Sequence, residues 1–562
     1  MAETLKLGNG DWATKEGSLL AYNNENGNYK PLPFDVTRAS SATVLNKAGL
    51  IETVQSGVPR IDFSDDTNGA LLTEPQSTNL ITQSESFGNS YWTKSGASIE
   101  GDASTAGAEQ VTNGDMEAAL ATINGISFIG YHSTSSQSTD QANSGTKSLK
   151  VTGTANIFTS YIIPNDASTA GKTYLITYAI YVPSTLTGSV DILTKEGGVQ
   201  RIIETITNLD QWVNVSYYFN ATDYTLDRPI LSQALSGLST EFYYIDNVSV
   251  KEVQGFTSPD GTANAFKLVE GTNNGGHNIQ RVENVSNATI YTSSVFVKYG
   301  GREWIRFTDA QSSNRIHFNT LTGVFGTILG TVIDYNSTEL GNGWYKLSLT
   351  TTSVTTAYAL RVSLAETDND VVYTGDGTSG IYIYGAQLEL GYATSYIPTS
   401  GSTSTRLADV VTGAGDVNTF NSTEGVLFAE MAALSNDGTY KGISLSDGLT
   451  SNVVRFYTNP TENQLSIRVT VAGVHQFNVV YTLTDLTTYN KVALKYKAND
   501  FAFWVNGVEV KSYIGGTTFT SNTLNKLALS NGAGSDYFFG KTKQLQVFPT
   551  ALTDSELAVL TT

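Results

Sequence analysis

Between Asn79 and Tyr396 apolar and polar residues alternate in short runs, a period of two that predicts half-buried β-strands. The runs occur as two series, one nested inside the other. The inner series runs through VTNGDME (Val111 to Glu117), SLKVTG (Ser148 to Gly153), TYLITYAIYV (Thr173 to Val182), QWVNVSYYF (Gln211 to Phe219) and YYIDNVSV (Tyr243 to Val250). The outer series opens with NLITQSESF (Asn79 to Phe87) and resumes only at AFKLVEG (Ala265 to Gly271). It continues through TIYTSSVFVK (Thr289 to Lys298) and GWYKLSLTT (Gly343 to Thr351) to YIYGAQLEL (Tyr382 to Leu390). Order and alternation match at each step. One antiparallel β-sandwich (residues 106–253) is therefore expected inside a loop of another (79–105 and 254–398). Insertion into an exposed loop with neighbouring ends costs little.

The flanks divide further. Residues 1–78 read as hairpins: PFDVTRASSATVLNKAGLIETV (Pro33 to Val54) turns at Gly49, and VPRIDF and ALLTEP turn over Asp66 to Gly69. So small a unit needs a neighbour or a second subunit to pack on. Residues 399–418 begin with the Ser/Thr/Gly-rich stretch Thr399 to Thr405 and read as a linker. Residues 419–562 form a last sandwich, with two long strands in YNKVALKYKANDFAFWVNGVEV (Tyr489 to Val510) around an Asn506-Gly507 turn. Thr553 and Glu556 have capping-box spacing, which predicts a short helix over Asp554 to Leu560. The expected fold is all-β, a multi-domain string of antiparallel β-sandwiches (jelly rolls).

Composition agrees. The 562 residues include 30 tyrosines and 23 phenylalanines but only 15% charged residues, a mix suited to many short strands. Net charge is −19, with no basic stripe of the kind a duplex-binding surface needs, so no nucleic-acid partner is expected. No apolar run approaches membrane-spanning length, and MAETLKLGNGDW does not read as a signal peptide. The absence of cysteine rules out disulfides and thiolate chemistry.

Chemistry is sparse. There are four histidines and no HExxH, GxSxG or phosphate-cradling glycine loop, so no enzyme is expected. In EWIRFTD (Glu303 to Asp309) and NRIHFNT (Asn314 to Thr320), Ile305, Phe307, Ile316 and Phe318 share the core parity. Trp304, Arg306, Arg315 and His317 then cluster on the opposite face of adjacent strands. An indole stacks on sugar C–H groups, and guanidinium and imidazole bond hydroxyls or acidic sugars. The same pattern also describes an ordinary solvated face or a protein–protein contact.

Three resemblances add biology. The run RASSATVLNKAGLIE, then PRIDF and LLTEPQSTNLI, resembles a block of phage virion and tail-fibre-like proteins. SPDGTANAFKLVE, TGDGTSGIYIYGAQLELG and TSYIPTSGSTSTR, between Ser258 and Arg406, belong to the same resemblance. It implies a spike-like or fibre-like homotrimer on the virion surface, docked to other virion proteins through its N-terminal block and attached to host surface glycans. A virion protein released by lysis needs no export signal. The inner sandwich resembles xylan- and glucan-binding jelly rolls, whose first and last strands often share a structural calcium. The matching positions here are Glu117 and Asp246, although Asp246 capping a turn beside a solvated Glu117 explains them equally. The C-terminal unit resembles laminin-G-like, concanavalin-A-like domains. Alternatives are a purely structural capsid or tail decoration and a polysaccharide-degrading enzyme.

Overall fold

The chain is described by a computed structural model over residues 3–23, 30–101, 106–120, 126–155, 157–164, 173–196, 199–207, 209–221, 228–235, 240–253 and 255–562. It is all-β, a set of antiparallel sandwiches with one inserted into another. In the inserted sandwich, a six-stranded sheet centred on Phe242–Val253 faces a five-stranded sheet centred on Arg228–Leu235. Leu149, Val151, Ile176, Tyr178, Ile192 and Ile245 fill the space between them. These are the inward positions of the alternating runs.

The outer sandwich closes across the insertion. Thr93–Ser95 pairs with Asn278–Asn284, and Ala97–Glu100 pairs with Phe266–Glu270. Phe87 lies 4.8 Å from Trp92 and 6.1 Å from Phe266, ring centre to ring centre, in one core with Ile305, Phe307, Leu347 and Ile383. The segments on either side of the inserted sandwich thus build a single body. Its two six-stranded sheets are ordered Thr93–Ser95, Asn278–Asn284, Ala357–Ala365, Trp304–Asp309, Asn314–Asn319, Val324–Leu329, and Ala97–Glu100, Phe266–Glu270, Gly380–Leu390, Ile290–Tyr299, Trp344–Thr352, Val332–Leu340.

One expected boundary is corrected: 399–418 is not a bare linker. Residues 1–78 find the neighbour that so small a unit needs in the C-terminal sandwich. Leu5–Gly8 pairs with Gly540–Phe548 of the C-terminal sandwich, Ser18–Asn23 and Lys30–Thr37 follow, and Val410–Thr412 closes that edge. Ala70–Thr73 joins the same strand further along. The result is a twelve-stranded sheet made from both ends of the chain. The cause is the alternation itself: Leu5, Leu7, Leu19, Phe34 and Val36 form an apolar face too narrow to bury alone, and the edge beside Gly540–Phe548 supplies the missing layer.

A buried ion network pins this arrangement. Arg60 donates to Glu74 at 2.7 Å and also to Asp409, Arg38 donates to Asp409 at 2.8 Å, and Arg406 reaches Glu74 at 2.8 Å. Ser395 of the outer sandwich donates to Glu74 at 2.6 Å. Isolated buried charges would be prohibitive, but here each acid meets two guanidinium groups. Arg406 and Asp409 bury inside the expected linker, which orders it.

At the C-terminus, Asp554–Thr561 is helical with both halves of the capping box formed by Thr553 and Glu556. It covers the second face of the large sheet, where Trp504 packs with Phe428, Phe548 and Leu557.

Candidate functional site

The strands Trp304–Asp309 and Asn314–Asn319 pair with Arg306 opposite His317 and Thr308 opposite Arg315. Ala357–Ala365 lies on the other side, setting Ser363 against Arg306 and Arg361 against Thr308. Two parallel rows therefore cross one face: Asn278, Ser363, Arg306, His317, and beside it Gln280, Arg361, Thr308, Arg315. Ile305, Phe307, Ile316, Phe318, Leu360 and Val362 point the other way into the core.

Trp304, Arg306 and Arg315 are half-exposed, as the alternation implies, but His317 is fully buried. This corrects the expectation that all four lie on the open surface. Val324–Leu329 adds as a further strand, and its pairing slips between Ile316 and Phe318. Next to that irregularity the Thr327 carbonyl lies 2.7 Å from Nδ1 of His317. The indole of Trp304 packs beside Gly326, where an added Cβ would come within 2.6 Å of it.

The polar atoms of this face are unusually short of partners. Nε of Arg306, Nε of Arg315, Nε2 of His317 and Oγ of Ser363 are all buried with no hydrogen-bond partner. Among the described residues neither Arg306 nor Arg315 forms an ion pair. Arg361 differs: it donates through Nε at 2.8 Å to Gln280. Burial first, then Arg315 and Arg361, push the Arg306 guanidinium below its ordinary range. Burial likewise lowers His317, with Arg306 and Arg315 adding to the effect against the Thr327 carbonyl and Asp368. Asp368, 4.0 Å from His317, is already engaged by the backbone N–H and hydroxyl of Thr327. Three neighbouring cations without a free acid, in a chain of net charge −19, form a ready acceptor for an anionic group.

Arg361, Ser363 and Gln280 escaped the sequence reading. Their parity was visible, since Arg361 and Ser363 alternate with Leu360, Val362 and Leu364. The order of strands in the sheet was not.

Glu117 and Asp246 approach the same loop, where burial, and after it the nearby Glu117 charge, raise the Asp246 carboxyl. Glu117 accepts from the backbone of Thr146 at 2.6 Å and Lys147 at 2.7 Å, and from the Thr146 hydroxyl at 2.9 Å. Asp246 accepts from the backbone of Asn143 at 2.8 Å, Ser144 at 3.2 Å and Asn247 at 2.7 Å. Calcium needs oxygen lone pairs turned inward together, whereas these carboxylates are met by N–H dipoles. The donor set does not fit the ion; it fits a loop clamp. Gly145 completes it, with φ +63° and room for no Cβ within 2.3 Å of the Glu117 carboxylate.

A separate cleft of about 940 Å³ opens between the outer and C-terminal sandwiches. Asp62, Asp65, Asp334, Glu462 and Asp485 line it together with Lys346 and Lys541, and Lys541 pairs with Asp62 and Asp65.

Residues 427–558 match the Laminin_G_3 family, described as the Concanavalin A-like lectin/glucanases superfamily. The chain is thus a string of β-sandwiches with a concanavalin A-like domain at its C-terminal end. No curated protein sequence matches it significantly. Among solved structures it is similar to Ruminococcus gnavus IT-sialidase CBM40, at 16% identity over 27% of this chain and 94% of that one, TM-score 0.23. It is also similar to the N-terminal CBM22-1-CBM22-2 tandem domain from Paenibacillus barcinonensis Xyn10C, at 13% identity over 52% and 100%, TM-score 0.23. Mouse laminin alpha1 chain domains LG4-5 align at 10% identity over 50% and 89%, TM-score 0.18.

Proposed function

We propose that this protein is a non-enzymatic, glycan-binding phage virion appendage that attaches to host cell-surface glycans through the arginine face of its outer sandwich. The observation that carries the binding role is the set of unpartnered donors at Arg306, Arg315 and Ser363 around buried His317. Leaving such groups unsatisfied costs on the order of 1–3 kcal/mol each, and the half-exposed guanidinium groups above them remain open to an anion. An acidic sugar supplies both the anion for the guanidinium groups and hydroxyls for Asn278 and Gln280. A glycosidase needs two free carboxylates at the ligand. Among the described residues, Asp368 approaches this face and is already held by Thr327.

The virion assignment rests on the sequence block from Arg38 to Ile81 and its continuation to Arg406. Display of several copies, as trimers, would turn weak single contacts into firm attachment. Retention of the purified chain on acidic and neutral bacterial polysaccharides tests the binding role. Retention on the acidic set, reduced at least tenfold in an R306Q/R315Q variant, is expected; retention that the variant leaves unchanged rejects it. Antibody labelling of intact particles by electron microscopy tests the location, and release of reducing ends would replace the reading with an enzyme.

A further inference from the structure

The C-terminal sandwich carries a second face of the same kind. Its five-stranded sheet runs Val474–Thr482, Gln464–Val471, Val453–Thr458, Gly442–Ser446, Lys526–Ala528. Ile443, Leu445, Val454, Phe456, Ile467 and Val469 enter the core. The opposite parity sets one row across four strands: Ser444 opposite Arg455, Arg455 opposite Arg468, and Arg468 opposite Asn478.

Both guanidinium groups lie over one ring, Arg455 at 4.4 Å and Arg468 at 5.3 Å from the centre of Tyr457. Arg468 donates to Asn478 at 3.2 Å. Nε of Arg455 is buried without a partner, and so is Oγ of Ser444, whose side chain is wholly buried. Neither arginine forms an ion pair among the described residues. The acid that acts on Arg455, Asp536, is held by the Asn531 amide at 3.0 Å. In the outer sandwich the orphaned Ser363 and Arg306 are likewise direct cross-strand neighbours. The pair Ser444–Arg455 repeats that arrangement on an unrelated sheet.

We infer that this face is a second binding site, selective for a glycan bearing carboxylate or sulfate groups. The paired arginines receive the anion as a planar, bidentate fork. Half-exposed Tyr440, 6.2 Å from Tyr457, offers a flat ring for sugar C–H groups. Exposed Asn478 is placed for a hydroxyl at the open end of the row. Neutral partners flanking the arginines favour a sugar over a bare inorganic anion. A nucleic acid is disfavoured by the chain's charge of −19. The site shares only its ligand class with the proposed outer-face site; its residues are distinct.

Calorimetric titration of the full chain with a galacturonate tetrasaccharide and a heparin tetrasaccharide tests it, with sodium sulfate and a single-stranded oligonucleotide alongside. Two equivalents of an acidic tetrasaccharide are expected. R455Q/R468Q should weaken one of them at least tenfold and leave the other, while R306Q/R315Q does the converse. Should the double variant melt early, R468Q alone, at a half-exposed position, serves instead. A folded R455Q/R468Q variant that still takes two equivalents overturns the inference. So does a wild-type stoichiometry of one that only R306Q/R315Q removes, which would leave the outer face standing. Sulfate bound as tightly as the tetrasaccharides, or the oligonucleotide bound more tightly, also overturns it. Failure of both tetrasaccharides to bind at all would overturn both sites.

Discussion

Arg60 and Asp409 stand 349 positions apart in the chain and form an ion pair inside the protein. Removing Asp409 strands Arg38 and leaves Arg60 with Glu74 alone, whereas removing Arg60 still leaves each acid one guanidinium. D409N, which leaves Arg38 without its acid, is expected to lower stability by about 3–5 kcal/mol, the usual cost of an uncompensated buried charge, and R60M by less. Denaturant unfolding measures this, and a loss below about 1 kcal/mol would show the pair to be dispensable.

Acid should act through Glu74. Burial pushes its carboxyl up, but Arg406 and Arg60 more than reverse this and hold it well below the ordinary carboxylate range. A depressed folded-state value means stability that is fully present above the unfolded value and lost as pH falls towards the folded one. Unfolding midpoints should be level above about pH 5 and drop below about pH 4. E74Q should start lower and show a shallower drop; an identical slope would assign the acid sensitivity elsewhere.

Binding at the outer face should also depend on pH. His317 is lowered, chiefly by burial and further by Arg306 and Arg315, so it is neutral at pH 7. An acidic ligand beside it favours the protonated ring, so binding takes up a proton. Affinity for an acidic oligosaccharide should rise by a few-fold as pH falls below the ordinary histidine value of about 6.5, and H317Q should flatten the profile. Affinity that falls as pH drops there would contradict the placement.

The inserted sandwich should melt at the same temperature with and without chelator, because N–H groups already satisfy Glu117 and Asp246. G145A should destabilise it by about 1–3 kcal/mol through the positive φ and the contact with Glu117. A chelator-induced drop in melting temperature would restore the calcium.

Local alternation was enough to read the two nested series and the parity of Trp304, Arg306 and Arg315. It also marked the capping box at Thr553. What escaped depends on partners far away in sequence. His317 is buried beside an irregularity in the pairing of Val324–Leu329, which no residue of NRIHFNT announces. Arg361 joins the face because Ala357–Ala365 lies next to Trp304–Asp309, and strand order is not written in a strand's own pattern. The N-terminal hairpins were visible, but their place beside Gly540–Phe548 was not, since an apolar face shows only that a cover is needed.

That shared sheet also orders events during synthesis. Leu5 pairs with Val547, so the earlier strand must wait for one made more than 500 residues later, a delay of roughly 30 to 100 s at ordinary translation rates. The inserted sandwich lies wholly within that interval and is free to mature on the ribosome. The Leu5–Gly8 strand meanwhile keeps a bare edge, open to chaperones until Gly540–Phe548 is made to receive it.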